Sequence, residues 1–156
     1  MLSEKGYRRR DMTWYSHSRE LIRVLEFAPA VTRNKVWFRL GIALRALDGV
    51  KDPTVWDMVR PLRSRATHPQ IEDCAVSVRL QSLVENRVDF ERVCDFTDPT
   101  ISHAGSIPHI LQVVSQVAVP FLESFNRLED VRAFVHSDRA RLCTIREPAK
   151  AILSLI

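Results

Sequence analysis

The sequence contains few of the residues that equip a small protein with covalent or metal-based chemistry. Its 156 residues include three cysteines and four glycines. The cysteines are odd in number, far apart and without a CxxC spacing, which argues against a disulfide framework or a zinc ribbon and predicts reduced, mostly buried thiols. The glycines are too scattered for a phosphate-binding loop, and neither a GxSxG motif nor a Cys–His nucleophile pair is present.

The sequence also lacks a recognisable membrane or export signal. No apolar run approaches the roughly 20 residues that cross a bilayer, and residues 1–6 have no apolar signal-peptide core. We therefore predict a cytoplasmic protein without a membrane partner. A hydrophobic fraction of 46% and a charged fraction of 27% are typical of a globular protein, and the length fits one domain over residues 1–156.

Lysine is scarce although the chain is basic. The net charge is +4, and only four of the 23 basic residues are lysine; the pI is about 9.3. Arginine suits phosphate and carboxylate recognition through its planar fork. A GC-rich coding sequence explains the same bias, so the charge permits an acidic or nucleic-acid partner without requiring one.

Apolar residues recur with a two-residue period in the first half, which predicts strands. Residues 12–17 and 21–27 are two of them, and the clearest is Val36–Leu44, with alternate residues on a core face. Residues 53–62 favour a short helix and 75–84 a further strand, whereas 89–93 fit either a strand or a helical turn. Because the connections are short, neighbouring strands should pair antiparallel.

The last third has a helical period instead. Residues 97–106 read as a loop, with Ser106 capping a long helix that carries Pro108 in its first turn. Pro120 should kink or restart that helix. Residues 129–135 and 148–156 predict two more helices. The fold class is therefore α+β, with an antiparallel sheet of about four to five strands followed by packed C-terminal helices.

Several short stretches together resemble the bacterial domain-of-unknown-function family 4304, from about residue 6 to 135. They are Gly6–Arg10, Thr13–Tyr15, Leu21–Phe27, Phe38–Ile42, Val78–Leu80 and Ala118–Leu122. The resemblance implies an α+β fold and no established activity, so it assigns no catalytic residue. It also implies a helix before Gly6, where this sequence has only five residues. An exposed apolar sheet face, and hence a protein partner or a homodimer, is the expectation that follows.

Basic residues interleaved with aromatic ones form the main candidate site. Rings stack on bases while arginines hold phosphates, so the pattern suits a nucleic acid or an acidic protein partner; a solvated charge run is the simpler alternative. The candidate residues are Lys5, Arg8, Arg9, Arg10, Trp14, Tyr15, Arg39, Arg45 and Arg79. Arg60, Arg63 and Arg65 form a weaker second cluster.

Other constellations predict less. His103, His109 and Asp98 could converge before the long helix, but their spacing matches no established metal motif, so we predict no metal and no cofactor. His109 is expected on the surface. Trp37 and Trp56 are predicted as core residues rather than as a binding platform.

Three hypotheses about function remain open. The preferred one is a non-enzymatic protein-interaction module that neutralises or accompanies a partner, as a toxin-immunity protein does, with a basic surface suited to an acidic partner. The first alternative is a nucleic-acid-binding domain, which requires the basic residues to share one face. The second is an enzyme of unrecognised type, which requires a deep pocket with convergent polar groups.

Overall fold

The structure, a computed structural model, describes residues 1–29, 35–45 and 68–155, except for the side chains of His103 and Leu155. The predicted helix at 53–62, with Trp56, and the cluster of Arg60, Arg63 and Arg65 lie outside these ranges.

The described residues form an antiparallel sheet whose six strands follow one another in chain order. The α+β class is thus confirmed, with one strand more than the upper predicted number. The strands are β1 (Arg8–Arg10), β2 (Thr13–His17), β3 (Leu21–Pro29), β4 (Val36–Leu44), β5 (Val76–Arg79) and β6 (Thr144–Ile145).

Five α-helices occur in the described ranges, all of them after β5. They are α1 (Arg87–Val93), α2 (His103–Val113), α3 (Val119–Glu123), α4 (Leu128–Val135) and α5 (Glu147–Leu155). A π-helical turn, Val114–Ala118, joins α2 to α3, and we call the whole of His103–Glu123 the long helix. Asn86 caps α1 by accepting a hydrogen bond from the amide of Asp89. Residues 89–93, for which the sequence pattern allowed a strand or a helical turn, are therefore helical.

One face of the sheet, the core face, packs against these helices. The predicted alternation in β4 is confirmed, because Leu40, Ile42 and Leu44 are at most 2% exposed and belong to the main core. Arg23 lies on this face, and its guanidinium donates to the Phe125 carbonyl at 2.9 Å and to Asn126 Oδ1 at 2.8 Å. These bonds attach the sheet to the turn that follows the long helix.

The long helix begins earlier than predicted. Its N-cap is Ser102, so the expected cap Ser106 lies inside α2 as a buried residue. The Ser106 hydroxyl donates to the Ser102 carbonyl at 3.1 Å. Serine satisfies either role, capping an end or bonding back by one turn, and the sequence pattern does not separate the two.

The change of helix near Pro120 is confirmed, and it takes the form of the π turn. Val119 donates to the carbonyl of Val114, five residues back. Proline has no N–H, and its ring crowds the carbonyl four residues earlier, so a wider turn relieves that contact.

Two predictions about strands need correction, and one strand was not predicted. The strand expected over 75–84 ends at Arg79, where a 3₁₀ turn over Leu80–Ser82 begins. The N-terminal arginines are not simply a charge run, because they form β1 through a tight turn in which Asp11 has φ 55°. The strand β6 is only two residues long, too short to produce a periodic signal.

The second face of the sheet is covered at its centre by the segment 71–74. Tyr15, Ile22, Val24, Ala43, Ile71 and Cys74 form a small buried cluster there. Gly41 makes this contact possible, since a Cβ at that position would lie 2.7 Å from Ile71 Cδ1.

All three cysteines are free, as predicted. Cys74 and Cys94 are buried and Cys143 is partly buried. Burial raises the pKa of the thiol of Cys94 to about 12 and of Cys143 to about 11. These thiols are therefore protonated near neutral pH and are poor nucleophiles.

Candidate functional site

Most of the candidate arginines lie on the second face of the sheet. Strand register aligns Arg10, Thr13, Glu26, Arg39 and Arg79 side by side across β1 to β5. At about 4.8 Å per strand, this row is about 19 Å long. Arg8 lies one row away on the same face, opposite Tyr15, and Arg45 follows the end of β4.

The other candidate residues are placed differently. Arg9 and Trp14 lie on the core face, at its β1 margin, with the guanidinium 5.4 Å from the indole ring. Tyr15 is 4% exposed and belongs to the small buried cluster. Lys5 forms an ion pair at 3.2 Å with Glu123, the last residue of the long helix. Trp14 lies on the core face and Tyr15, although on the second face, is buried, so neither presents an exposed ring among the arginines there.

Arg39 is held in an ion-pair network at the centre of the row. Its Nε donates to Glu26 at 2.5 Å and its Nη1 to Glu72 at 2.7 Å, with the side chain 33% exposed. A guanidinium with two carboxylate partners has little positive charge left for a ligand. We therefore regard Arg39 as a residue that fixes the 71–74 segment to the sheet.

Arg79 is exposed and stacks on Trp37. Its guanidinium carbon lies 5.0 Å from the centre of the indole ring. Trp37 is partly buried on the second face rather than in the main core, so its prediction as a core residue is wrong. The pair combines a cation with an aromatic surface, an arrangement suited to stacking against a base or another planar group.

A second group of basic side chains surrounds His17 at the other end of the face. Arg45 Nη2 lies 3.3 Å from His17 Nδ1, and Arg45 Nε donates to the Ser18 carbonyl at 3.0 Å. The His68 ring is 6.3 Å from the His17 ring. Partial burial lowers the pKa of His17, and electrostatic interactions with Arg45, His68 and Arg8 lower it further. We call Arg8, His17, Arg45 and His68 the His17 corner.

The long helix presents a surface of a different kind, which the sequence analysis missed. Its exposed side, which we call the uncharged helix face, consists of Ala104, Ile107, Pro108, Leu111, Gln112 and Ser115. Ile107 is 54% exposed and Leu111 is 51% exposed. No Asp, Glu, Lys or Arg occurs from Ala104 to Leu122. That absence is the signal that could have revealed the face, because solvated helix faces normally carry charges.

The same helix corrects the expectation about membrane-length segments. Ala104–Glu123 is 20 residues long with a mean hydropathy of 1.3, enough to cross a membrane by length and composition alone. The sequence analysis looked for an uninterrupted apolar run, whereas this helix contains polar residues such as His109 and Gln112 and reaches the limit only in its mean hydropathy. Within the most apolar 18-residue stretch of this helix, 44% is buried against the rest of the fold. A core helix passes the same test, so the finding is weak support for a membrane role.

A cleft of about 540 Å³ lies beside the N-terminus of α4, and is lined by Arg19, Glu20, Asn126, Arg127, Leu128, Glu129 and Arg132. Glu20 Oε2 accepts a hydrogen bond from the Leu128 amide at 2.9 Å. Asp130 caps the same end of the helix, accepting from the Arg127 amide at 2.8 Å. Both carboxylates are thus occupied in holding the turn. The enzyme hypothesis stays a prediction.

A metal centre has no obvious place in the described part of the chain. Within residues 1–29, 35–45 and 68–155, no group of three or more His, Cys, Asp or Glu side chains is arranged to hold a metal ion. His109 is exposed, as predicted, and its ring lies 6.2 Å from that of Phe90. The pKa of Asp98 is lowered by hydrogen bonds from the Thr100 hydroxyl and amide, so this carboxylate already has partners within its own loop.

No protein-family model, curated protein or solved structure matches the chain. The resemblance to the domain-of-unknown-function family therefore stays a prediction. The second face of the sheet and the uncharged helix face are therefore the two candidate binding surfaces.

Proposed function

We propose that this protein is a non-enzymatic interaction module that binds a partner protein through the uncharged helix face. The observation that supports the proposal is the combination of high exposure and absent charge along three turns of α2. Exposed apolar residues that are grouped, rather than single, commonly mark a binding surface. A role in neutralising or accompanying the partner is the form of the hypothesis that we favour.

The chemistry of the face indicates what kind of surface it meets. A charged group of the partner would lose hydration against Ile107 and Leu111 without finding a counter-ion, which is costly. The partner surface should therefore be apolar and uncharged over the area of contact. Gln112 and Ser115 can supply hydrogen bonds at the edge of such a contact, where water completes their shells.

The test compares two leucines of similar exposure. Leu111 is 51% exposed on α2, and Leu142, 47% exposed, lies in the separate 3₁₀ turn Asp138–Leu142. Tagged wild-type, Leu111→Glu and Leu142→Glu proteins are used to capture partners from the native host, with and without nuclease. We expect one stoichiometric protein with the wild type and with Leu142→Glu, and at least about tenfold less with Leu111→Glu, since burying a leucine contributes about 1.5–3 kcal/mol.

Equal recovery of that protein by Leu111→Glu would contradict the proposal, as would recovery that depends on nucleic acid. Circular dichroism of both variants checks that the substitutions leave the fold intact. Light scattering of the wild type identifies the case in which the partner is a second copy, because a dimer would then dissociate in Leu111→Glu. Co-sedimentation of the purified protein with lipid vesicles would instead identify a membrane.

A nucleic-acid-binding domain is the second candidate, supported by the shared face of Arg8, Arg10, Arg45 and Arg79. Its affinity for a single-stranded oligonucleotide should fall with salt, and each phosphate contact contributes about 0.7 to the slope of the log–log plot. Arg79→Gln should reduce that slope by about this amount, whereas Arg141→Gln, an exposed arginine outside both surfaces, should not. Affinity that is independent of salt would exclude this candidate.

A further inference from the structure

The His17 corner is organised by a bidentate arginine. Arg45 uses Nε on the Ser18 carbonyl at 3.0 Å and Nη2 on His17 Nδ1 at 3.3 Å. The carbonyl belongs to the turn between β2 and β3, which the hydroxyl of Ser18 closes by accepting from the Leu21 amide at 3.1 Å. The guanidinium is therefore held against this turn, and in the described part of the chain its remaining N–H groups have no other hydrogen-bond partner.

This contact also fixes the tautomer of the histidine. A guanidinium has donors and no acceptor, so Nδ1 of a neutral His17 must accept, and the ring proton is on Nε2. His17 is exposed at the end of β2. The corner therefore directs a histidine N–H and an arginine fork toward the same side of the sheet.

Arg8 supplies a second guanidinium on the opposite flank of His17. It pairs with Tyr15, two residues before His17 on the same face, which places the two side chains as diagonal neighbours. Among the residues that the structure describes, the charged and titratable groups that act on the His17 ring are Arg45, His68 and Arg8. None of these is an acid, in contrast to the Glu26–Arg39–Glu72 network in the middle of the sheet.

We propose that the His17 corner binds a phosphoryl group, with Arg45 and Arg8 as paired guanidinium donors and His17 Nε2–H as a third. A tetrahedral dianion fits better than a carboxylate, because it offers oxygens in several directions and two negative charges to two arginines. The site does not depend on docking at the uncharged helix face. It fits a phosphorylated small molecule or the terminal phosphate of a nucleic-acid strand.

Binding should depend on pH in a defined direction. Partial burial, and after it the charges of Arg45 and Arg8, lower the pKa of His17. A dianion between these cations offsets their charge, so the ligand raises the pKa of His17. Protonation at Nδ1 ends the direct contact with Arg45 Nη2, and the dianion then bridges the two cations. By linkage, affinity then increases as the pH falls through the range in which His17 gains its proton. Sulfate is a suitable probe, because it remains a dianion over this range and does not titrate itself.

The experiment follows the ring resonances of His17 by NMR during titration with sulfate from pH 5.5 to 7.5, with sodium chloride added to hold the ionic strength constant. We expect saturable shifts, a pKa of His17 that rises on binding, and tighter binding at pH 5.5. Arg8→Gln, on the exposed edge strand, should weaken sulfate binding about tenfold, as for one lost charge-assisted hydrogen bond. The matched control Arg141→Gln should change it less than twofold.

His17→Gln tests the histidine separately. Glutamine keeps an N–H donor but cannot titrate, so binding at pH 7.5 should stay within a few-fold while its pH dependence disappears. The proposal is overturned if sulfate causes no saturable shift at His17, or if Arg8→Gln and Arg141→Gln weaken binding equally. Oligonucleotides with and without a 5′-phosphate distinguish the sources, since only a terminal-phosphate site prefers the phosphorylated strand, whereas inorganic phosphate reports a small-molecule site.

Discussion

Gly41 is the position at which a single methyl group should reveal how closely the 71–74 segment lies on the sheet. A Cβ at this position would stand 2.7 Å from Ile71 Cδ1 and closer still to Cys74 Sγ. Atoms in folded proteins are not found at such distances, and Cys74 is only 3% exposed. Gly41→Ala must therefore move the segment away from β4 or push β4 into the main core.

Two opposing terms set the magnitude of this effect. Adding a methyl group to a well-packed interior costs about 1–3 kcal/mol. Replacing glycine lowers the entropy of the unfolded chain, which stabilises the folded state by about 0.4–1 kcal/mol where the conformation is compatible. We expect Gly41→Ala to reduce the free energy of unfolding by about 1–2 kcal/mol.

Gly105 provides the matched control for the same chemical change. It lies in α2, and a Cβ there would meet no atom within 4 Å. Gly105→Ala should therefore stabilise the protein by about 0.5–1 kcal/mol through helix propensity. Urea unfolding followed by circular dichroism measures both changes, and equal m-values would show that the unfolded states remain comparable.

A double variant tests the proposed cause. Cys74→Ala removes the sulfur atom that the new methyl group would meet, so Gly41→Ala should cost less in that background. We expect a coupling energy of about 1 kcal/mol between the two positions. The reasoning is refuted if Gly41→Ala is as stable as the wild type, or if its cost is the same with and without the sulfur.

Three further outcomes are expected. Arg23→Met removes the two charge-assisted bonds to the turn after the long helix, and should lower the free energy of unfolding in urea by about 2 kcal/mol. Cys143, with a pKa of about 11, should be the first thiol to react with iodoacetamide in the native protein at pH 8, and slowly; faster labelling of either buried thiol would contradict the packing. Hydrogen bonds from the Thr97 hydroxyl, from Lys35 and from the Thr97 amide lower the pKa of Asp95 from 3.8 to about 2. The stabilisation by the charged carboxylate is therefore complete above about pH 4 and is lost as the pH falls toward 2. Asp95→Asn should flatten the dependence of the melting temperature on pH between pH 4 and pH 2, and an unchanged dependence would count against these hydrogen bonds.

The strand that sequence reasoning located best has a strong two-residue period and a full-length partner, β3, on one side. It is Val36–Leu44, and its predicted bounds agree with the structure. By contrast, β1 consists of three arginines, and its strand conformation comes from the tight turn at Asp11 and from pairing with β2. Such a strand is specified by its neighbour rather than by its own composition.

The candidate site was predicted only in part, for a similar reason. Alternation along each strand was sufficient to group Arg39 with other residues of β4, but not to show which strand of the sheet lies next to which. Register with β1 and β5 then placed Arg10 and Arg79 in the same row. Tyr15 is not a surface residue, because the 71–74 segment packs over it on the second face. No local feature of the sequence predicts that this segment lies there.

Because of strand β6, the strand pairings of this sheet fall into two groups, which should form at different stages of folding. Every pairing from β1 to β4 joins strands that are close in the chain, whereas Val76 in β5 pairs with Ile145 in β6 across the four helices α1 to α4. Contacts of that separation form late, because their loop entropy is recovered only after the intervening helices have packed. Until then the outer edge of β5 has unpaired backbone groups, open to pairing with another chain. The opposite edge, β1, has an arginine at each of its three positions, so the two borders of one sheet differ in their exposure to aggregation during folding.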